Sequence, residues 1–495
     1  LRRSGLLLHI SSLPSPWGTG DLGPWAYHVA RNMARSSISV WQILPLNETS
    51  SAFGHSPYSP TSVFAGNRAF ISPEELVKDG FILKSELPEK IPIGPSDFDR
   101  ALEIRTALIA KSWERGKDLQ DFKHFKEENR LWLENYCLFT VIKDRMGQKP
   151  WNLWPEPLRD REEEALSQIA DQEGHSLDRL AFGQYLFFQQ QRKWKKECNR
   201  LGLEILGDIP IYVIHDSSDV WANPDLFQLD DERLPSSVAG VPPDYYSEDG
   251  QLWGNPLYLW ENHLAQRFSW WINRLRHCLT LYDRVRIDHF RGMVGYWAVP
   301  RDHATAREGR WEKVPYDRFF KAIRETFPDL PFTAEDLGVI TPEVKRAMED
   351  LGLAGMAVLQ FAFDGDTGTN PYVPHNHRRN SVIYTGTHDN DTTAGWFKKA
   401  GETTVKNLQA YTGRQLDHRS AVDSVIRMAL ASVAELAVVP AQDVLGLDSE
   451  ARINTPSTTT GNWTWRLKED IDLEWIGDMT ILYGRANTED RPSEG

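Results

Sequence analysis

Short apolar or β-branched runs that end on a polar residue recur along the chain, and helical periodicity fills most of the gaps between them. Eight such runs are strand candidates: SGLLLHI (4–10), VWQILPL (40–46), EILGDIPIYV (204–213), DRVRIDHF (283–290), PFTAEDLG (331–338), GMAVLQFAF (355–363), SVIYTGTHD (381–389) and AVVPAQDVL (437–445). Apolar residues three and four apart mark intervening helices, as in WAYHVARNMARSS after the first run, SWWINRLRHCLTL before the fourth and PEVKRAMEDLG after the fifth. Eight strands alternating with helices predict a single parallel (β/α)8 barrel over residues 1–495, whose working face lies at the C-terminal strand ends.

The spacing departs from a plain barrel between the second and third strands, where about 155 residues intervene, far more than any loop. Helical patterns at 98–114, 121–146 and 177–202 occupy that stretch. Residues 65–176 are therefore expected to form a helical insertion on the barrel rim, with the last helix leading back into the third strand. Residues 214–262, rich in Pro, Gly, Tyr and Trp, show little periodicity and read as a loop over the active face. The terminal TEDRPSEG is expected to fray.

Charge narrows the partners. With 70 acidic against 56 basic side chains, the net charge of -14 argues against nucleic acid or an anionic membrane and favours a neutral partner. No apolar run approaches the roughly 18 residues of a membrane helix, so a soluble protein is expected. Three cysteines without metal-ligand spacing suit a reducing compartment, and cytoplasm is the expected location, or a plastid stroma if a transit peptide has been removed. Tryptophan, at 19 residues, is the outlier. Trp17, Trp221, Trp253 and Trp463 stand beside turn residues, where an indole is hard to bury and its flat face suits a ligand such as a sugar.

Three acidic motifs then carry the chemistry: Asp288 in VRIDHF, Glu335 in TAEDLG and Asp389 in THDND, on the fourth, fifth and seventh strands. One aspartate near a strand end is usually a turn or helix cap; three on one rim, each with a helper, point to a site. Glycosidic bond cleavage with retention needs two carboxyl groups about 5–5.5 Å apart, and neighbouring strands lie about 4.8 Å apart. Arg286, two residues before Asp288, faces the same way and is expected to lower the pKa of that aspartate. Glu335 has no adjacent cation, so an apolar wall should raise its pKa toward that of a general acid. Asp389, with His388 beside it, could grip sugar hydroxyls. His9 alone reads as a satisfied polar residue and enters only because it shares the rim. Tyr58, in SPYSP, fits a turn aromatic equally well.

These strings resemble the amylomaltases, the 4-α-glucanotransferases or disproportionating enzymes of glycoside hydrolase family seventy-seven, barrels of the α-amylase-like clan. The similarity runs from SGLLLHISSLPSPWGTGDLG to INTPSTTTGNWTWR and is most specific in GDIPIYV (207–213), DVWANPDLF (219–227), VAGVPPDYYSEDGQLWGNPLY (238–258), VRIDHFRG (285–292), AEDLG (334–338) and THDND (387–391). The resemblance implies Asp288 as nucleophile, Glu335 as acid/base and Asp389 as transition-state stabiliser, supported by Arg286 and His388. It implies that Tyr58 stacks on the donor sugar and that Asp208 hydrogen-bonds there. Trp253, Asn255 and Pro256 fall in a flexible loop on the acceptor side, and Asn454, Asn462 and Trp463 in a motif that also faces the glucan. Maltooligosaccharides and other α-1,4-glucans would serve as donor and acceptor, with no metal or organic cofactor. Departures from the family pattern are His9-Ile10-Ser11-Ser12 in place of His-Pro-Thr-Ser, His55 where an Asp is usual, and Ser457 where Gly is common. They bear on subsite affinity more than on reaction type. Three rival readings stay open: a hydrolase using the same acids, a metal-dependent barrel with Asp288, His289, Glu335, His388 and Asp389 as ligands, and a non-catalytic glucan-binding barrel.

Overall fold

The computed structural model describes residues 2–243, 247–338 and 340–486; the TEDRPSEG tail and Asp244–Tyr246 of the 214–262 stretch lie outside the described residues. Eight strands form one parallel sheet: β1 (Arg3–Leu7), β2 (Val40–Gln42), β3 (Glu204–Ile209), β4 (Arg284–Ile287), β5 (Phe332–Ala334), β6 (Gly355–Val358), β7 (Ser381–Tyr384) and β8 (Leu436–Pro440). Their lateral order runs from β6 through β7, β8, β1, β2, β3 and β4 to β5. A parallel bridge between Thr333 and Ala354, with the Ala334 N–H donating to the Ala354 carbonyl at 2.9 Å, joins β5 to β6 and closes the barrel. The ladders are shorter than the apolar runs that predicted them. Each run outlasts its strand, and its last residues belong to the turn beyond.

Interior packing fixes the scaffold. Trp41 of β2 is fully buried, its indole N–H donates to the Leu8 carbonyl at 2.7 Å, and its ring meets Trp194 edge-on. At the N-terminal face, Arg3 and Arg284 alternate with Glu204 and Glu435 in a four-membered ring of ion pairs, at 2.6 and 3.4 Å from Arg3 and 2.9 and 3.6 Å from Arg284. This ring ties the starts of β1, β3 and β4 to the residue before β8, away from the acids. All three cysteines are buried and unpaired. No helix among the described residues is long and apolar enough to cross a membrane.

Between β2 and β3 the chain makes helices at Pro73–Lys78, Phe98–Gly116, Gln120–Glu128, Arg130–Arg145 and Glu163–Arg200. The pattern at 121–146 predicts one helix; the structure breaks it at Asn129 (φ -106°, ψ 9°), whose side-chain amide donates to the Phe125 carbonyl. The final helix starts at Glu163, earlier than its apolar periodicity predicts, because its first turns are polar and are set off by a kink at Glu173. Its buried face carries glutamines for a reason. Gln184 pairs with both backbone groups of Gly66 (2.7 and 2.9 Å), and Gln190 does the same for Ser72 (2.7 and 3.1 Å). A stretch of coil is thus buried without orphaned backbone groups.

Residues 214–262 are more regular than their composition predicts. Strands at Ser237–Val241 and Gln251–Pro256 join Gly295–Pro300 and Arg310–Lys313 in a four-stranded antiparallel sheet. A register shift between Val238 and Gly240 obscures the period of two, and the other two strands come only after β4.

Gly207, in β3, has no room for a side chain: a Cβ there would lie 2.1–2.4 Å from ring atoms of buried Tyr282, whose hydroxyl accepts from the Leu46 N–H. Gly207→Ala should destabilise the protein by about 1–3 kcal/mol through overpacking. The readout is a lower urea midpoint; an unchanged midpoint would show that the Tyr282 ring yields at no cost.

Candidate active site

The floor of the site follows from strand register. Asp208 of β3 pairs laterally with Arg286 of β4, and Arg286 with Thr333 of β5. Asp208 has 0% of its side chain exposed and Arg286 5%. One Asp208 oxygen accepts from Arg286 Nε (3.0 Å), from Nη2 (2.6 Å) and from the Tyr58 hydroxyl (2.7 Å). A buried ion pair of this kind holds only when its hydrogen bonds are met, and here they are. Arg286 stays a firm cation: burial opposes its charge, but Asp208, Tyr58 and Asp288 outweigh burial.

Asp288 extends the same face one residue past β4, with its N–H on the Ile209 carbonyl. Its carboxylate receives a single contact from Arg286 Nη2, at 3.1 Å. Arg286 was expected to lower the pKa of Asp288, and the structure reverses that expectation. Burial first, then the carboxylates of Asp208, Glu335 and Asp389, push it well above the usual aspartate range against the pull of Arg286. The guanidinium is committed mainly to Asp208, through Nε and Nη2, and reaches its nearer neighbour in sequence through Nη2 only.

Glu335 follows β5 in register with Asp288, since Ile287 and Ala334 are paired. Backbone N–H groups hold both its oxygens: His289 N–H at 2.8 Å and Leu337 N–H at 2.7 Å. His289 donates from the left-handed region (φ 46°, ψ 54°), which costs a side-chain-bearing residue on the order of 1–3 kcal/mol. Burial raises the Glu335 pKa as expected, with Arg286 and the two N–H groups acting against it. Asp336, next in sequence, turns away to accept from the Met356 N–H at 2.7 Å.

Asp389 lies on the turn after β7 with 48% of its side chain exposed. Burial would raise its pKa, but His388, the Asn454 amide (2.6 Å) and Arg286 together hold it well below the ordinary range. His388 Nε2 lies 3.3 Å from Asp389, and its ring stacks on Tyr58 with centroids 4.9 Å apart. Trp463 is buried against both rings, at 5.9 Å from Tyr58 and 6.1 Å from His388. Sequence reasoning missed Arg452. Its guanidinium donates to the carbonyls of Asp389 (2.5 Å) and Asn454 (2.7 Å), locking the two acidic-rim segments together. The available signal was the alternation Arg452-Ile453-Asn454, which puts two polar side chains on one side of an extended segment.

The remaining predicted residues divide. Trp253 is exposed on the strand Gln251–Pro256 and meets the His289 ring edge-on, with centroids 4.8 Å apart. The Asn255 amide anchors that strand to the Val213 carbonyl at 3.0 Å, and Pro256 is buried in register with Val238. His9 is enclosed: burial and His388 lower its pKa to about 3, and its Nδ1 accepts from the Leu44 N–H. Asn462 turns inward, with Oδ1 accepting from Thr455 N–H and Nδ2 donating to the Thr458 carbonyl, so its polar atoms hold a turn. Trp17 and Trp221, expected to resist burial beside turn residues, are fully buried, because Glu74 and the Leu158 carbonyl accept from their indole N–H groups. His55 bridges Thr49 and Asp99 and stacks on Phe98, and Ser457 holds φ 65°, a conformation glycine takes freely. Among the described residues no group of three or more His, Cys, Asp or Glu is arranged to hold a metal ion.

Eight parallel strands whose C-terminal ends converge on three carboxylates define a (β/α)8-barrel enzyme. The family model described as 4-alpha-glucanotransferase matches residues 8–472. The chain is 42% identical over 487 residues to the 4-alpha-glucanotransferase of Aquifex aeolicus, covering 98% of this chain and 100% of that one. It is 44% identical over 482 residues to the Thermus thermophilus enzyme of the same name, covering 94% and 95%. Among solved structures, amylomaltase from Streptococcus agalactiae in complex with acarbose superposes with a TM-score of 0.93 at 34% identity, covering 98% and 100%. The chain belongs to the 4-alpha-glucanotransferase family.

A carboxyl whose native pKa exceeds its unfolded value binds its proton more tightly when folded, so it lowers stability as pH rises from the ordinary aspartate value through the native one. Asp288→Asn removes that effect. Its thermal midpoint should exceed that of the unaltered protein at about pH 7.5, and the difference should shrink toward about pH 4. A midpoint below the unaltered protein's at both values would refute the raised pKa.

Proposed function

We propose that the enzyme transfers a segment of a 1,4-α-D-glucan to the 4-hydroxyl of an acceptor glucan or glucose by double displacement with retention. The observation that carries this reading is the pair Asp288 and Glu335, in register on adjacent strands, with Arg286 touching only the first. Adjacent strands lie about 4.8 Å apart, which suits the separation of about 5–5.5 Å in retaining chemistry. One proton shared by the pair gives the reactive state when it rests on Glu335 and Asp288 keeps its charge against Arg286. Asp288 attacks the anomeric carbon as the bond to the leaving oxygen breaks, and Glu335 hands that oxygen its proton. In the second half the acceptor 4-hydroxyl gives its proton to Glu335 while its oxygen displaces Asp288.

On this reading Asp389 and His388 bind hydroxyls of the reacting sugar, and Tyr58 packs against the donor. Asp208, wholly enclosed, acts through Arg286 and Tyr58 rather than on the sugar. Trp253, with Asn255 and Pro256 behind it, bounds the acceptor side. Asn454 holds Asp389, Asn462 shapes the loop that carries Trp463, and His9 supports the rim from beneath. Residues 65–176 serve as a helical subdomain of one catalytic barrel and 214–262, with its two antiparallel strands, as the acceptor-side insertion. The solved relative holds acarbose, and maltooligosaccharides are the donor and acceptor proposed for this chain.

Purified protein with maltotriose in EDTA should release glucose and build a ladder of longer maltooligosaccharides. Asp288→Asn should abolish both, and Glu335→Gln should slow them by about 10²–10⁴-fold. Reducing ends that rise without a ladder would identify a hydrolase; activity that returns only with added metal would overturn the carboxylate-pair mechanism.

A further inference from the structure

His289 touches both the acid/base and the acceptor-side strand. Its backbone N–H holds Glu335 Oε2 at 2.8 Å, and the following N–H, from Phe290, donates to the Glu335 carbonyl at 3.0 Å. Its ring meets Trp253 at 84° and packs over Gly292, where a Cβ would lie 3.1 Å from the ring. The left-handed backbone at His289 makes this double engagement possible, because it turns the N–H toward β5 while the ring reaches toward the antiparallel sheet. Residues 251–254 are exposed, so the strand that carries Trp253 is the part of this contact chain a sugar can reach.

We propose that His289 is a positioning residue through which a sugar arriving at Trp253 orients the Glu335 carboxyl, so that the glycosyl-enzyme is resolved by an acceptor sugar in preference to water. The proposal rests on the assignment of Asp288 and Glu335 above. Either acceptor resolves the intermediate by the same balanced step: an O–H proton passes to Glu335, oxygen bonds to the anomeric carbon, and the bond to Asp288 breaks with its electron pair. What differs is whether the Glu335 oxygen stands where that O–H arrives. Water makes no demand on Trp253. A sugar that presses Trp253 against the His289 ring steadies the left-handed turn and the N–H that aims Glu335. The same N–H opposes the rise that burial imposes on the Glu335 pKa, so its loss should move the basic limb of the pH profile upward.

Two substitutions separate ring from backbone. His289→Gly deletes the ring, while glycine occupies the left-handed region freely and keeps the N–H in place. His289→Ala deletes the ring and disfavours that backbone. With maltotriose as substrate, both should raise the ratio of hydrolysis to transfer about tenfold, a typical coupling for residues in contact. Only His289→Ala should also shift the basic limb of kcat/KM to higher pH. Trp253→Ala should reproduce the His289→Gly ratio with an unshifted limb, and the two combined should change the ratio no further. An unaltered ratio in His289→Gly, multiplicative effects in the double variant, or limbs that coincide in the Gly and Ala variants would each overturn the coupling. If His289→Ala does not fold, the Gly variant and the double variant still decide it. Failure of the unaltered enzyme to make a ladder would instead overturn the underlying reaction assignment.

Discussion

One buried guanidinium has to serve several anions, and the geometry of the rim follows from how it is shared. Arg286 binds Asp208 with two N–H groups inside the barrel wall, where neither partner meets solvent. Pulling either away would leave an unpaired charge in a poorly solvated place. The same Asp208 oxygen fixes the Tyr58 hydroxyl, Tyr58 stacks on His388, and His388 lies against Asp389. A contact chain thus runs from β3 and β4 across the barrel mouth to the turn after β7. Asp288 receives one N–H of Arg286, and burial together with the neighbouring carboxylates outweighs that pull on its pKa.

The three acids are held by different means. Asp389 is held by the side chains of His388 and Asn454, with Arg452 gripping the backbone beneath. Glu335 is held by main-chain N–H groups alone. Side-chain support can be deleted one residue at a time. Main-chain support disappears only when the local conformation changes, so the sequence tolerance around Glu335 is set by backbone dihedrals rather than by side-chain identity. His289 and the Glu335-Asp336-Leu337 turn carry that constraint.

The barrel was legible in the sequence because each strand buries a short apolar run and ends on a polar turn, a signal that needs no knowledge of partners. The three acids stood out for the same reason, as charges at run ends. What stayed hidden depends on pairs far apart in sequence. That Arg286 belongs more to Asp208 than to Asp288 follows from lateral register across 78 residues. Trp17 and Trp221 look exposed until Glu74 and Leu158 are placed beside their indoles. The antiparallel sheet eluded periodicity because its strands straddle β4 and one carries a register shift. Arg452 binds carbonyl oxygens, and carbonyls have no sequence signature.

The seam between β5 and β6 differs from the other seven. Elsewhere neighbouring strands share three to five paired positions, whereas β5 and β6 share one backbone bridge, Thr333–Ala354, supplemented by the Asp336 carboxylate on the Met356 N–H. A closed barrel has no edge, and every strand is braced from both sides. β5 is braced fully on one side only. It is also three residues long and leads straight into Glu335. Glu335 therefore stands at the end of the stave with the fewest ladder pairs on one flank, tied to β6 by the Thr333–Ala354 bridge and by the Asp336 carboxylate on the Met356 N–H. Asp288 and Glu335 accordingly differ in bracing: Asp288 continues a stave paired along both flanks, and Glu335 one whose ladder is complete on one flank only.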